Sequence, residues 1–99
     1  MFNIFKSLTA PKMQARLIIR GSFNHDVAYL IQNIVRSWGI PGRMKVHSAK
    51  CIEIIMEGRR TTLESRLNEL MRNPMFSTVT SETSWTPSSG QFGNFTVWY

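Results

Sequence analysis

The sequence has one cysteine, two histidines and no long apolar run, and each scarcity excludes a class of protein. Cys51 alone cannot form an internal disulfide, which excludes a secreted scaffold held by disulfides. With only His25 and His47 beside that cysteine, the chain lacks the ligands of a cysteine–histidine zinc site. Its apolar runs fall well short of the ~20 residues that a membrane-spanning helix requires. We therefore expect no metal and no membrane span, and a location in the cytoplasm.

What the chain does contain is apolar material for one core. Its 99 residues, 42% hydrophobic and 11% aromatic, fit a single domain and exclude a disordered or low-complexity chain. Twelve Lys and Arg residues against six acidic ones give a formal net charge of +6. Such an excess favours a polyanionic partner, and it serves solubility equally well.

The N-terminal residues are interpreted separately from the rest. Residues 1–14 are expected to form a flexible or loosely docked tail, and residues 15–99 the folded domain. The segment 1–8 is too short for the apolar region of a signal peptide. Its apolar residues would alternatively line one helical face that touches a membrane or a partner.

Alternating apolar and polar residues predict the strands. The clearest alternation covers residues 15–20, 43–47 and 51–57, and the last two of these form a hairpin. A weaker strand signal covers residues 76–85, and after a turn-rich loop the residues 95–99 are strong strand formers.

Two stretches with apolar residues at helical spacing predict the helices. The first has an apolar stripe that comprises Val27, Leu30, Ile31, Ile34, Val35 and Trp38. Asn24 or Asp26 would cap this helix, and Gly39 with Pro41 would end it. The second helix covers residues 63–71 and ends at the Asn73-Pro74 pair. The resulting order is typical of a ferredoxin-like βαββαβ sandwich, an α+β fold whose antiparallel sheet carries two helices on one face, here with a short extra C-terminal strand.

Several short motifs, taken in order, resemble the acylphosphatase family. Residues 21–29 lie between the first strand and the first helix, where that family has its phosphate-binding loop. Residues 38–44 resemble its L-G-(aliphatic)-x-G-x-(aliphatic) entry to the second strand, and Asn73-Pro74 its Gly-Pro pair. The end of the chain, from Trp85 to Tyr99, is similar to its F-x-x-F-x-(aliphatic)-x-Y closing strand. The resemblance implies a ferredoxin-like fold and hydrolysis of acyl phosphates without metal or cofactor.

The same resemblance implies that the family's catalytic pair is absent. In acylphosphatases an arginine and loop N–H groups hold the phosphate, and an asparagine on the second strand positions the attacking water. Here Tyr29 stands at the arginine position and Val46 at the asparagine position. A phenol cannot provide the bidentate grip of a guanidinium, and an aliphatic group cannot orient water. We therefore expect a domain that binds or regulates, with an active or weakly active acylphosphatase as the alternative.

The candidate anion loop also departs from the family's pattern. It comprises Gly21, Ser22, Phe23, Asn24, His25, Asp26 and Val27. Gly21 matches the family's first glycine, whereas His25 replaces the second and Asp26 places a carboxylate where phosphate would bind. Ser22, His25 and Asp26 are also the residue types of a nucleophilic triad, but their crowding along one loop opposes that geometry.

Two binding surfaces are predicted on the sheet. A basic face suited to single-stranded nucleic acid would contain Arg16, Arg20, Arg43, Lys45, His47, Thr96 and Trp98. Exposed apolar residues suited to an unidentified protein partner or to self-association would be Ile18, Ile55, Trp85, Trp98 and the N-terminal segment. We expect protein contact ahead of nucleic acid. Glu53 and Glu57, on the basic face, are expected to form cross-strand pairs with its cations.

A second family shows a weaker resemblance. Residues 40–42 (Ile-Pro-Gly) and 56–59 (Met-Glu-Gly-Arg) are similar to motifs of the BLUF light sensors, which bind flavin. The first strand of that family carries Tyr-x-Ser, where this chain has Ile19-Arg20-Gly21. The acylphosphatase resemblance is therefore preferred.

Overall fold

The computed structural model describes residues 12–22 and 25–98, and it confirms the predicted order of elements. Its strands are β1 (Lys12–Arg20), β2 (Gly42–Ser48), β3 (Cys51–Arg59), β4 (Thr80–Pro87) and β5 (Phe95–Trp98). Its helices are α1 (His25–Ser37) and α2 (Arg60–Met71), followed by a 3-10 turn (Pro74–Phe76). Strand β1 takes in residues 12–14, which the sequence analysis assigned to the tail. The rest of the predicted tail lies outside the described residues.

The five strands form one mixed sheet in the order β4-β1-β3-β2-β5. The neighbouring pairs among β4, β1, β3 and β2 are all antiparallel, as predicted, whereas β5 runs parallel to β2. The connection explains this direction. Residues 88–94 pass from the end of β4 to the start of β2, where the Gly42 N–H donates to the Asn94 carbonyl at 3.2 Å. The chain therefore enters β5 from the edge at which β2 begins, and we call this the lower edge of the sheet.

The fourth strand begins later than predicted. Residues 76–79 precede it, and Phe76 belongs to the 3-10 turn, with its side chain in the core. The Asn73 side chain caps that turn by accepting a hydrogen bond from the Met75 N–H at 3.1 Å. Pro74 at the first position favours the turn, because its fixed φ suits a helix start. Phe76, the apolar residue at which the strand was predicted to begin, is therefore part of the core and not of β4.

One face of the sheet and both helices share the hydrophobic core. The helices contribute Ala28, Ile31, Val35, Leu63, Leu67 and Leu70, and the strands contribute Ala15, Leu17, Ile19, Met44, Ile52, Ile54 and Met56. The alternation that predicted the strands therefore places the apolar set on the helical side. This arrangement is the predicted ferredoxin-like α+β sandwich.

The opposite side of the sheet, which we call the outer face, carries the polar residues of the strands. In register across it lie Ser84, Arg16, Ile55, Arg43 and Thr96, and next to them Glu82, Ile18, Glu53, Lys45 and Trp98. Strand β3 is central, so even its outward residues are covered by neighbouring side chains. Ile55 is only 7% exposed, and its predicted role as an exposed contact residue is wrong.

Candidate functional site

The candidate anion loop leads from the end of β1 to the start of α1. It lies at the upper edge of the sheet, which is the edge opposite the lower edge at which β2 begins. The Gly21 N–H donates to the Lys50 carbonyl at 3.1 Å, which ties the loop to the β2–β3 turn. A Cβ atom on Gly21 would lie 2.5 Å from Cγ1 of Val79. Close packing against Val79 thus accounts for this glycine. Phe23, Asn24 and the His25 side chain lie outside the described residues, so the anion loop stays a prediction.

Tyr29 and Val46 are the residues at which the resemblance implies the family's arginine and asparagine. Tyr29 lies on α1 with 57% of its surface exposed. Val46 is half-buried and packs against the core. Asp26 is exposed in the first turn of α1, where it suits the helix dipole. Because α1 begins at His25, Asp26 lies within its first turn and not at the cap position, and the other predicted cap, Asn24, lies outside the described residues.

Two arginines of the outer face are bound to carboxylates. The Arg20 Nη1 donates to Glu82 at 2.9 Å, and the Arg16 Nε donates to Glu53. Each carboxylate lies diagonally across from its arginine, two residues along the neighbouring strand from the residue that pairs with the arginine. These two guanidiniums are therefore held on the sheet face, directed at acidic partners.

Glu53 is the buried centre of this network. It is 5% exposed and also lies 2.9 Å from the Nε2 of His47. Burial raises its pKa, but the hydrogen bonds from His47 and Arg16 outweigh burial and lower the pKa below its ordinary value. Glu53 thus forms the predicted pairing with cross-strand basic residues.

Glu57 behaves differently from the prediction, because neutral donors surround it. Its carboxylate accepts hydrogen bonds from the Gln14 side chain at 2.8 Å, the Ser89 N–H at 2.7 Å, the Ser89 hydroxyl at 2.8 Å and the Gly90 N–H at 3.1 Å. Burial raises its pKa, but these bonds, with a further one from Ser88, lower it to about 2. Glu57 therefore anchors the chain that follows β4.

The remaining predicted residues of the basic face gather near β5. Arg43 lies with its Cζ 5.8 Å from the centre of the Trp98 ring. Lys45 is exposed and lies beside Trp98 in the register. Trp98 itself is 55% exposed, in agreement with its predicted exposure.

The exposed apolar residues are partly different from those expected. Ile18 is half-buried, and so is Trp85, whose ring centre lies 4.6 Å from the guanidinium carbon of Arg60. On α1, however, Leu30 is 51% exposed next to Tyr29. The helical spacing predicts that Leu30 belongs to the apolar stripe, because it lies three residues after Val27 and four before Ile34. The fully buried stripe turns instead through Ile31 and Val35, which leaves Leu30 at its margin.

Within residues 12–22 and 25–98 there is no group of three or more His, Cys, Asp or Glu side chains arranged to hold a metal ion. In that part of the chain no helix has the length and apolar character to cross a membrane. Cys51 is a free, half-buried thiol.

Comparison with known proteins gives a likeness in structure alone. Neither a protein-family model nor a curated protein matches the sequence. The crystal structure of acylphosphatase from Bacillus subtilis, however, matches 88% of this chain and 99% of its own, with a TM-score of 0.72 and 24% identity. An acylphosphatase from Coxiella burnetii matches 88% of this chain and 93% of its own, with a TM-score of 0.64 and 16% identity.

A larger protein contains a similar unit. Full-length HypF in its phosphate- and nucleotide-bound form matches 91% of this chain, with a TM-score of 0.68 and 20% identity. This chain corresponds to only 12% of that protein. At such identities the likeness establishes architecture, and the chain therefore has the ferredoxin-like α+β fold of the acylphosphatases.

Proposed function

We propose that this domain acts by binding a protein partner and does not hydrolyse acyl phosphates. The observation that supports this most strongly is the pair Tyr29 and Val46, at the positions where the resemblance places the catalytic arginine and asparagine. Tyr29 offers an exposed phenol and Val46 a half-buried aliphatic group. Hydrolysis of an acyl phosphate needs a cation on the phosphoryl oxygens and a polar group on the attacking water.

Two arginines of the outer face are already bonded to acidic side chains. Arg16 and Arg20 donate to Glu53 and Glu82 on the outer face. Asp26, in the first turn of α1, adds a negative charge beside the proposed phosphate position. Both features oppose binding of a phosphoryl dianion at the start of α1.

An assay of benzoyl phosphate hydrolysis tests this proposal. Loss of one transition-state donor commonly costs ~10²–10³ in rate, so we expect the purified protein to stay at the uncatalysed background. Acylphosphatase from Bacillus subtilis is the positive control. Turnover close to that of the control enzyme would contradict the proposal.

A double variant distinguishes two cases: loss of the catalytic pair alone, and loss of phosphate binding by the loop as well. Tyr29→Arg combined with Val46→Asn would supply both missing groups on an unchanged fold. If the rest of the loop still holds phosphate, the double variant should hydrolyse benzoyl phosphate measurably faster than the parent chain. If the double variant stays inactive, His25 and Asp26 have also disabled the loop, and the non-catalytic assignment stands.

For the partner surface, α1 offers the best-supported candidate. Tyr29 and Leu30 are adjacent, and each exposes more than half of its surface. Large exposed apolar side chains of this kind are typical of protein contacts. We expect the apparent mass in sedimentation to rise with concentration, and the rise to disappear in Tyr29→Ser/Leu30→Ser. Trp98→Ser is the matched control; if it alone abolished the rise, the contact would lie on β5.

Single-stranded nucleic acid is the second candidate, supported by the placement of the basic residues on one face. With two of its arginines already bonded to carboxylates, that face has fewer free cations than the sequence suggested. If nucleic acid binds, the affinity for an oligonucleotide should fall steeply with salt. Absence of binding at low salt would remove this candidate.

A further inference from the structure

A pocket of about 350 Å³ opens on the outer face beside β5. Its walls are Arg43 on β2, Thr96 and Trp98 on β5, and the segment 91–94 that crosses the lower edge. It lies far along the strands from the candidate anion loop, because β2 begins at the lower edge and β1 ends at the upper one. None of its lining residues belongs to the loop implied by the acylphosphatase resemblance.

Arg43 brings to this pocket a positive charge that contacts the Trp98 ring, with its Cζ 5.8 Å from the ring centre, but has no carboxylate partner in the described residues. Its Nε is buried and has no hydrogen-bond partner in the described part of the chain. No acidic residue lines the pocket. Elsewhere on the outer face, Arg16 and Arg20 both donate to carboxylates. Within the described residues no carboxylate pairs with this guanidinium, so an anion that accepts from its terminal N–H groups would be favoured.

Trp98 adds an apolar surface that is held in place. Its ring is 55% exposed, and its Nε1 donates to the Thr96 hydroxyl at 3.2 Å. That bond limits rotation of the indole, so a ring stacked on it finds a preformed surface. Lys45 lies beside Trp98 in the register and adds positive potential next to the pocket. Gln91 and Asn94 add amide groups at the rim.

We propose that this pocket binds a small aromatic oxyanion, a planar ring that carries a carboxylate or a phosphate. The ring would lie against Trp98, and the oxyanion would accept hydrogen bonds from the Arg43 guanidinium. The pocket's volume suits one ring with one charged group. This inference does not depend on the proposed function, because it concerns a different part of the molecule.

Chemical-shift titration of the ¹⁵N-labelled protein tests the proposal. The probes are phenyl phosphate and benzoate, with inorganic phosphate for the charge alone and benzamide for the uncharged ring. We expect the Trp98 indole N–H and the amides of Gly93 and Asn94 to shift with both aromatic anions. Each single-feature probe should bind at least about tenfold more weakly. Equal binding by all four probes would overturn the proposal, as would shifts confined to Gly21 and Ser22.

Variants then assign the binding to Arg43. Arg43→Gln should weaken phenyl phosphate binding by about tenfold or more, because a charged donor is removed. Arg43→Lys keeps the charge without the planar donor pair and should lie between Arg43→Gln and the parent protein. Arg66→Gln, which changes an arginine of α2 already bonded to Glu69, is the matched control and should bind as the parent does. Unchanged affinity in a folded Arg43→Gln protein would contradict the assignment.

Discussion

Replacing Gly42 with alanine is expected to destabilise the protein by about 3 kcal/mol. A Cβ atom there would lie 2.0 Å from the Ile55 carbonyl oxygen, 2.9 Å from the Ile55 carbonyl carbon and 3.0 Å from the Met56 Cα. All three atoms are backbone of the central strand, so no side-chain rotation can relieve the collision. Strands β2 and β3 would have to separate where Gly42 also donates to Asn94.

Thermal and urea unfolding of matched glycine variants measures this effect. For a domain of this size, about 3 kcal/mol corresponds to a fall in Tm of roughly 12–24 °C. Gly93→Ala is the control, because nothing lies within 4 Å of its added Cβ. We expect its stability to stay within about 0.5 kcal/mol of the parent. Equal losses in the two variants would show that β2 and β3 do not approach so closely at Gly42.

The fold was predictable because its signals are local. Alternation in β1, β2 and β3 and the helical spacing of α1 and α2 each arise from one element burying one face. The start of β4 was not predictable from alternation, since Phe76 anchors a turn that Asn73 caps. The parallel direction of β5 arises because residues 88–94 cross the lower edge of the sheet to the start of β2. The periodicity of the strands does not encode that path.

The candidate sites depend more heavily on tertiary structure. The sequence placed Arg16, Glu53 and Glu57 on one face, but it could not say which acids neutralise which arginines. Arg43 remains without an acidic partner because Glu53 is already bonded to Arg16 and His47. Such competition among neighbours is decided only when the strands are aligned in register.

Acid should weaken this protein chiefly through Glu57. Its pKa is about 2 in the folded protein, against an ordinary value of 4.5. Between these values the unfolded chain binds more protons, so the stabilisation is complete above about pH 4.5 and is lost as the pH falls through 2. The shift corresponds to at most ~3 kcal/mol. Because Ser89 and Gly90 are exposed to water, we expect about 2 kcal/mol.

Glu57→Gln isolates this contribution. The amide keeps the shape of the carboxylate but presents a donor to the N–H groups of Ser89 and Gly90, so we expect a loss of about 2 kcal/mol at pH 7. The gap to the parent protein in urea unfolding should narrow as the pH is lowered and become small at pH 2, where the carboxylate of the folded parent is about half protonated and most of its stabilisation is lost. Glu53 is present in both proteins, and its own acid sensitivity cancels in the comparison.

Glu69→Gln, an exposed change on α2 beside Arg66, should cost at most about 0.5 kcal/mol at any pH. A Glu57→Gln gap that stays constant from pH 7 to pH 2 would show that the carboxylate's charge does not hold residues 88–90 in place.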